Sequence, residues 1–512
     1  VNSANINLSN LVDVHRSRRP DEPALLTDAR TWTYEDLAAT VHSFAAYLAT
    51  RGIGRGDRVS LLGLNSAEYV NALLAIFRVG AIAVPLNYRL QQDELDYLLT
   101  NSGSVAILAD EEFVGIVDEL AGGMPSLGTR VCLNGSGTAE WLAFDDAVRQ
   151  HQGAKVSSAI VGPEDIQRIM YTSGTTSRPK GVVITHGMVL CNISSSTVEL
   201  QLTAADRILV SSPLYHIAGL DAPGLGILFS GGAMVIMRKF DAAQALRMIH
   251  AHRVTGGIFV QAVLHALRDA SREDLDLSSL RWMTFGAASG ELYRDVRRQF
   301  PTTRLVQAYG ITEGCSMVSC VPERLALEKY GTVGTAVSFA EFRIVDANGE
   351  EAPAGQEGEI VIRGAKVTPG YWGDAAGTET AWRSGWFHTG DVGVLDADGF
   401  LSIRDRLKDM IRSGGENVAS SEIERVIYGH PGVYEVAVIG VPDPRWQEVP
   451  KAFIVLKPGH SMEAEELFAF CRAKLASFKT PKYVEFVGTL PRNASGKVLK
   501  RNLRELASAP PR

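Results

Sequence analysis

Short apolar runs alternate with amphipathic stretches through most of the chain. Val59-Ser60-Leu61-Leu62-Gly63-Leu64, Ala81-Ile82-Ala83-Val84-Pro85-Leu86 and Val105-Ala106-Ile107-Leu108-Ala109 read as strands, and Ala67 to Val79 between the first two reads as an amphipathic helix. This alternation, from Leu8 to about Gln201, predicts an α/β region with mainly parallel strands. Arg207-Ile208-Leu209-Val210-Ser211, Ala233-Met234-Val235-Ile236-Met237, Gly257-Ile258-Phe259-Val260 and Trp282-Met283-Thr284-Phe285 repeat the pattern, so two stacked α/β halves are expected. Beyond about Gly331 the texture changes. Glu341 to Asp346 and Gly358 to Arg363 are separated by turn-rich segments, as in the hairpins of a small β-barrel. A compact α+β pattern closes the chain: helix Ser420 to Tyr428, strand Val433 to Ile439, strand Ala452 to Leu456 and helix Ala464 to Leu475. The expected boundary is Asp405 to Lys408, which separates residues 1–404 from residues 409–512, and only Ala507 to Arg512 reads as disordered.

One polar stretch interrupts this pattern with unusual chemistry. Tyr171-Thr172-Ser173-Gly174-Thr175-Thr176-Ser177-Arg178-Pro179-Lys180-Gly181 gathers hydroxyls, glycines and one lysine. Polyphosphate oxygens need many donors at close range; Ser173, Thr175 and Thr176 supply hydroxyls, while Gly174 and Gly181 let backbone N–H groups approach, and Lys180 adds charge. The flanks Gln167 to Tyr171 and Val182 to His186 read as strands, so the loop joins two strands. It is not a Walker A loop, which runs G-x-x-x-x-G-K-[ST] into a helix. A Ser/Thr-rich surface turn has the same composition, and other segments must decide.

Composition narrows the classes. At 512 residues the chain is long enough for two or more domains, and 46% hydrophobic with 21% charged residues fits a globular protein. A net charge of −7 gives no basic face for nucleic acid. Cys132, Cys191, Cys315, Cys320 and Cys471 form no C-x-x-C pair, so neither a zinc site nor a disulfide framework is suggested and a reducing cytoplasm fits. No apolar run reaches a membrane span, and Val1 to Asn5 lacks the pattern of a secretion signal, so an untargeted soluble chain is expected. The sequence specifies no oligomeric state.

Further motifs follow the phosphate loop in order: Tyr309-Gly310-Ile311-Thr312-Glu313, Gly385-Trp386-Phe387-His388-Thr389-Gly390-Asp391, Arg406-Leu407-Lys408-Asp409 through Gly414-Gly415-Glu416-Asn417, and Pro491-Arg492-Asn493-Ala494-Ser495-Gly496-Lys497. Singly, Tyr309 and Thr312 have core or turn readings, Asp391 a turn reading and Lys497 that of a solvated charge. Together, across nearly the whole chain, they resemble the adenylate-forming superfamily of acyl-CoA synthetases, stand-alone adenylation enzymes and oxidative luciferases. The resemblance implies ATP and Mg²⁺ as cofactors and two half-reactions, in which a carboxylate takes AMP from ATP and a thiol then displaces AMP. It places Tyr309 on the adenine, Thr312 at the α-phosphate, Asp391 on the ribose hydroxyls and Arg406 beside the ribose. Glu313 would hold Mg²⁺, Thr172 to Thr176 and Lys180 the phosphates, and Lys497 the oxygens where charge develops. It also implies a small, mobile C-terminal domain, with Lys408 at the hinge and Gly414 to Asn417 swinging in to shape the thiol channel. Intact Glu313, Asp391 and Lys497 argue against a silent nucleotide sensor, and nothing specifies a luciferase-type oxidation.

The same resemblance puts the acid along Tyr215 to Phe229 and near Gly286, Ala287, Ala288 and Gly310, with His216 as an aromatic gate at the carboxylate. Asp221 is a departure, because an aspartate in an apolar helix is costly unless a cation or donors answer it. A substrate ammonium would do so, and the expectation is a β-amino acid loaded onto an acyl carrier protein. A helix-start aspartate or an internal salt bridge stays open. The alternative substrate is a medium- or long-chain fatty or an aryl acid joined to coenzyme A, for which Ile227, Leu228 and Phe229 suit an apolar acyl group.

Overall fold

The computed structural model describes residues 5–124, 126–172, 178–259, 261–270, 274–286, 290–413, 416–492 and 498–508. The chain divides into two compact units: Val1–Phe342 with Ile362–Phe387, and Arg343–Val361 with His388–Arg512.

The first unit carries two sheets among its described residues. In one, strands run in the order Leu142–Ala143, Thr129–Cys132, Ala106–Ala109, Arg58–Leu62, Ile82–Pro85, Ile166–Thr172 and Lys180–Thr185. All neighbours are parallel except the last pair, a hairpin whose register sets Thr172 opposite Lys180. The loop between these strands is therefore the polar stretch, as expected. The second sheet has the order Thr335–Ala336, Ser316–Cys320, Arg304–Ile311, Trp282–Phe285, Gly256–Ile258, Arg207–Val210, Ala233–Ile236, Pro23–Leu26 and Thr31–Thr33, with antiparallel pairs only at its two ends. Parallel strands need crossovers that cover both faces, which is why their apolar runs are continuous. The helix Ala67–Arg78 is buried at every position but Glu68 and starts where Ser66 accepts from the Tyr69 N–H. Each sheet has its own apolar core, one around Leu62, Ile107 and Trp141, the other around Val235, Phe259 and Met283.

The helix expected through Asp221 is instead broken. Ile217–Leu220 and Gly226–Ser230 are α-helical, and the turn Asp221–Leu225 between them is a π-helix. Pro223 has no N–H to continue an α-helical ladder, and Gly224 lies so close to the Gly219 carbonyl that a Cβ would stand 2.7 Å from its oxygen.

In the second unit, the later part of the strand Trp386–Leu395 pairs antiparallel with Leu401–Arg406, in line with the hairpin texture beyond Gly331. The α+β segment follows, with Glu416–Val418, Ile411–Ser413, Gln447–Leu456 and Val433–Asp443 in one sheet and Tyr483–Phe486 parallel to Gln447–Leu456. Its helices are Ser420–Tyr428, Ala464–Arg472 and Lys500–Ser508, packed over cores around Ile423, Val438, Ile454 and Leu503. The last helix includes Ala507 and Ser508, which corrects the expectation of disorder there, because Leu503 anchors the amphipathic face it belongs to; residues 509–512 lie outside the described residues.

Candidate active site

The strands of the hairpin present Thr172 and Lys180 at the base of the polar loop, both half-buried, while Ser173, Gly174, Thr175 and Thr176 lie outside the described residues. Lys180 Nζ stands 4.6 Å from the centre of the Tyr371 ring, a cation–π contact that holds the ammonium at the loop's exit. Gly181 is required by packing, since a Cβ there would come within 2.8 Å of Ile169 Cγ2 and 3.2 Å of the Tyr171 ring.

In the same unit, the strand Arg304–Ile311 ends in Tyr309, buried, and Gly310, exposed, followed by a short turn Thr312–Gly314. The strand bulges between Tyr309 and Gly310, and a Cβ on Gly310 would stand 2.2 Å from the Ser316 carbonyl oxygen, so only glycine fits. Cys315 and Ser316 hold positive φ angles of 50° and 82° to complete the turn, a backbone cost of the kind concentrated at functional sites. The turn is held from behind by a segment that sequence reasoning missed. Thr368 N–H donates to the Glu313 carbonyl (2.7 Å), and the Tyr371 hydroxyl donates to Glu313 Oε1 (3.2 Å). Trp372 N–H reaches the Gly181 carbonyl (2.7 Å), so residues 368–372 join the Glu313 turn to the exit of the phosphate loop. Burial, with the Glu313 charge next in importance, pushes the Tyr371 hydroxyl far above the ordinary phenol range and keeps it a donor.

Glu313 suits Mg²⁺ in one particular way. Among the described residues no group of three or more His, Cys, Asp and Glu side chains is assembled for a metal. The half-buried Glu313 carboxylate matches an ion that takes one or two protein oxygens and fills its octahedron with phosphate oxygens and water.

Tyr215 is buried and packs edge-on against Tyr88 with ring centres 5.3 Å apart, whereas His216 is exposed. His216 Nδ1 accepts from the Ala218 N–H at 3.3 Å, which caps the helix Ile217–Leu220 and fixes the ring. Gly286 is exposed, with no described atom within 4 Å of where a Cβ would be, and Ala287 and Ala288 lie outside the described residues. Ile227 and Leu228 are fully buried, and Phe229 is partly exposed.

Asp221 requires a correction. Its answering cation is Arg168 of the chain itself: both side chains are 0% exposed, and Arg168 Nη2 donates to Asp221 Oδ1. Arg168 Nη1 donates to Gln167 Oε1 (2.7 Å), and the Gln167 amide lies 3.4 Å from His186 Nδ1. Burial pushes the Asp221 carboxyl up, and the Arg168 charge opposes that shift. Beside the pair, Lys366 Nζ donates to Asn192 Oδ1 (2.9 Å), Ser195 Oγ (3.3 Å) and the Met317 carbonyl (2.6 Å), with its pKa lowered by burial to about 8. The substrate ammonium expected at Asp221 therefore has no role to fill, because the chain supplies the charge.

In the second unit Asp391 and Arg406 face one another across the hairpin, with Arg406 Nε 2.6 Å from Asp391 Oδ1. Lys408 is exposed in the turn that follows; its carbonyl accepts from Arg504 Nη2 (3.2 Å), and Arg504 pairs with Asp409 (2.7 Å). Gly414 and Gly415 lie outside the described residues, as does Lys497, whose loop is closed at its base by a bridge between Arg492 and Val498.

Residues 12–372 match the family model described as AMP-binding enzyme, and residues 422–497 match the AMP-binding enzyme C-terminal domain. The chain belongs to the AMP-binding enzyme family. Among characterised AMP-binding enzymes, it is 38% identical to a feruloyl-CoA synthase of Amycolatopsis sp, over 96% of this chain and 97% of that one. It is 36% identical to a long-chain-fatty-acid–CoA ligase of Mycobacterium tuberculosis, over 94% of each chain. The O-succinylbenzoate coenzyme A synthetase of Bacillus subtilis, solved with ATP and magnesium ion, superposes with a TM-score of 0.83 at 32% identity, over 97% of this chain and 99% of that one. This AMP-binding enzyme is thus an ATP-dependent, AMP-forming ligase of the acyl-CoA synthetase superfamily, and its family uses ATP and Mg²⁺. Among its described residues no helix is long and apolar enough to cross a membrane.

Proposed function

We propose that this AMP-binding enzyme joins an apolar carboxylic acid, aryl or medium- to long-chain fatty, to coenzyme A. The observation that carries this reading is the closure of Asp221 onto Arg168, which leaves the acid segment with no free anion for a substrate amine and with Ile227 and Leu228 as apolar wall. The relatives' names, feruloyl-CoA synthase and long-chain-fatty-acid–CoA ligase, support coenzyme A over an acyl carrier protein as acceptor. The five cysteines, none in a disulfide, fit a cytoplasmic reaction.

In the first step a carboxylate oxygen attacks the α-phosphorus of ATP and the bond to pyrophosphate breaks, leaving an acyl-adenylate. Thr172, the loop from Ser173 to Thr176 and Lys180 hold the phosphates, Tyr309 packs on the adenine, and Thr312 donates at the α-phosphate. Asp391 and Arg406 take the ribose, and Glu313, aimed by Tyr371, would hold Mg²⁺, which when bound would supply positive charge against the phosphates. Lys497 meets the charge that develops between the two reactants. The segment 405–408 then acts as the hinge of residues 409–512, with Lys408 as the hinge residue. In the second step the coenzyme A sulfur attacks the acyl carbonyl, AMP leaves and the thiol proton passes to solvent.

The test is thioester formation with ATP, Mg²⁺ and coenzyme A across cinnamic-type acids, fatty acids and their 3-amino counterparts. Aryl or fatty acids are expected to give acyl-CoA, and Lys497→Ala to slow pyrophosphate release about 10²-fold or more. Turnover confined to 3-amino acids, or to a carrier protein as acceptor, would overturn the reading.

A further inference from the structure

The Arg168–Asp221 pair lies where its cost is not explained by stability. Both side chains are fully buried, and Asp221 Oδ2 and Arg168 Nε have no hydrogen-bond partner among the described residues, so the link rests on one charged contact. A half-satisfied buried pair returns little stability relative to an apolar pair of the same volume, so what it contributes is better sought in position than in stability.

Its position supplies one. Arg168 is the third residue of the strand Ile166–Thr172, in register with Ala83 on one side and Ile184 on the other, so its backbone is fixed on both edges. The same strand runs directly into the phosphate loop. Asp221 opens the π turn Asp221–Leu225, which continues the segment carrying Tyr215 and His216. A π turn is wider than an α turn and is found at functional sites more often than chance allows. This one is also closely packed: a Cβ on Gly219 would stand 2.3 Å from the Pro213 carbonyl oxygen, and helix His186–Leu200 packs on the turn. A shift at Asp221 would therefore be passed along the segment rather than absorbed.

We propose that Arg168 and Asp221 are positioning residues that pin the π turn to the fixed phosphate-loop strand and so set the width of the acyl pocket and its choice of acid. This rests on the reading that Tyr215 to Phe229 and Gly286 border the acid. Neither residue touches the reacting atoms.

The experiment measures pyrophosphate release with hexanoate, decanoate, tetradecanoate and a cinnamic-type acid, for the wild type and for Arg168→Met/Asp221→Leu. The double variant replaces the pair with apolar groups, the leucine matching the branching of the aspartate, which spares the fold the unpaired charge a single substitution would leave. The KM for the preferred acid should rise about 10-fold and the preference among acids should narrow, while the KM for ATP stays within about twofold. Gly286→Val, at a position where an added Cβ meets no described atom within 4 Å, is the companion variant. If Gly286→Val changes the acid profile and the folded double variant matches the wild type, the pair is structural only and the proposal fails. If Gly286→Val leaves the acid profile unchanged, the assignment of the acid site fails and the proposal falls with it.

Discussion

Asp221 and Asp391 each face an arginine, and the two pairs stand in opposite circumstances. In the first, Arg168 and Asp221 are both 0% exposed inside an all-protein network that runs through Gln167 to His186. In the second, Asp391 is 7% and Arg406 35% exposed, on neighbouring strands of an open hairpin. A fully buried pair cannot exchange partners without leaving a charge in a low-dielectric interior, whereas the Asp391–Arg406 pair has one end, the Arg406 guanidinium, that water reaches, so its contact opens at lower cost. Residue type alone does not make an aspartate available to a ligand; access for its partner to leave does. In the function proposed above Asp391 and Arg406 open to receive ribose hydroxyls, whereas Asp221 is closed onto Arg168.

That contrast is sharpened most strongly by Asp221→Asn, which strands the Arg168 charge and should lower stability in urea unfolding by about 3–5 kcal/mol; a loss below about 1 kcal/mol would mean that the pair is not closed in solution. The far end of the same network gives a pH signature. Burial lowers the His186 pKa to about 4, and Asp165 opposes this only in part. The unfolded chain then takes up a proton near pH 6.5 while the folded chain resists until about pH 4, so stability falls as pH falls through that window, by at most ~3 kcal/mol. His186→Gln should flatten the slope between those limits, and an unchanged slope would remove His186 from the network. At the open pair, Asp391→Asn should raise the KM for ATP about 10-fold, as for loss of one charged hydrogen-bonding group, with little change in unfolding. The smallest effect belongs to the exposed pair Arg16–Glu35 (2.6 Å), where Arg16→Ala should cost less than about 1 kcal/mol and vanish at high salt.

Much of the framework was legible because it depends on local pattern. The strand Trp282–Phe285 and the helix Ser420–Tyr428 have the limits their apolar spacing predicts, and the polar stretch joins two strands as expected, the structure adding that they pair as a hairpin. The interior charges were not legible. Gln167 and Arg168 open a strand that looks polar at one end, and nothing local says that the strand lies between two others with both residues fully enclosed. Apolar spacing also does not separate a π turn from an α turn, and Pro223 followed by Gly224 was the one signal that could have found it. Lys366, Thr368 and Tyr371 act through partners more than fifty positions away, and no short-range pattern encodes such contacts. The salt-bridge option for Asp221 was visible as an alternative, but its partner was not.

The most direct test is a single series of thermal melts on wild type, Asp221→Asn and Asp391→Asn, each with and without ATP and Mg²⁺. Asp221→Asn should melt lower in the absence of ligand yet keep the wild-type shift on adding ATP, and Asp391→Asn should melt like wild type yet lose most of that shift. The reverse pattern, with Asp221→Asn losing the ATP response and Asp391→Asn losing intrinsic stability, would contradict the division between a committed and an available aspartate.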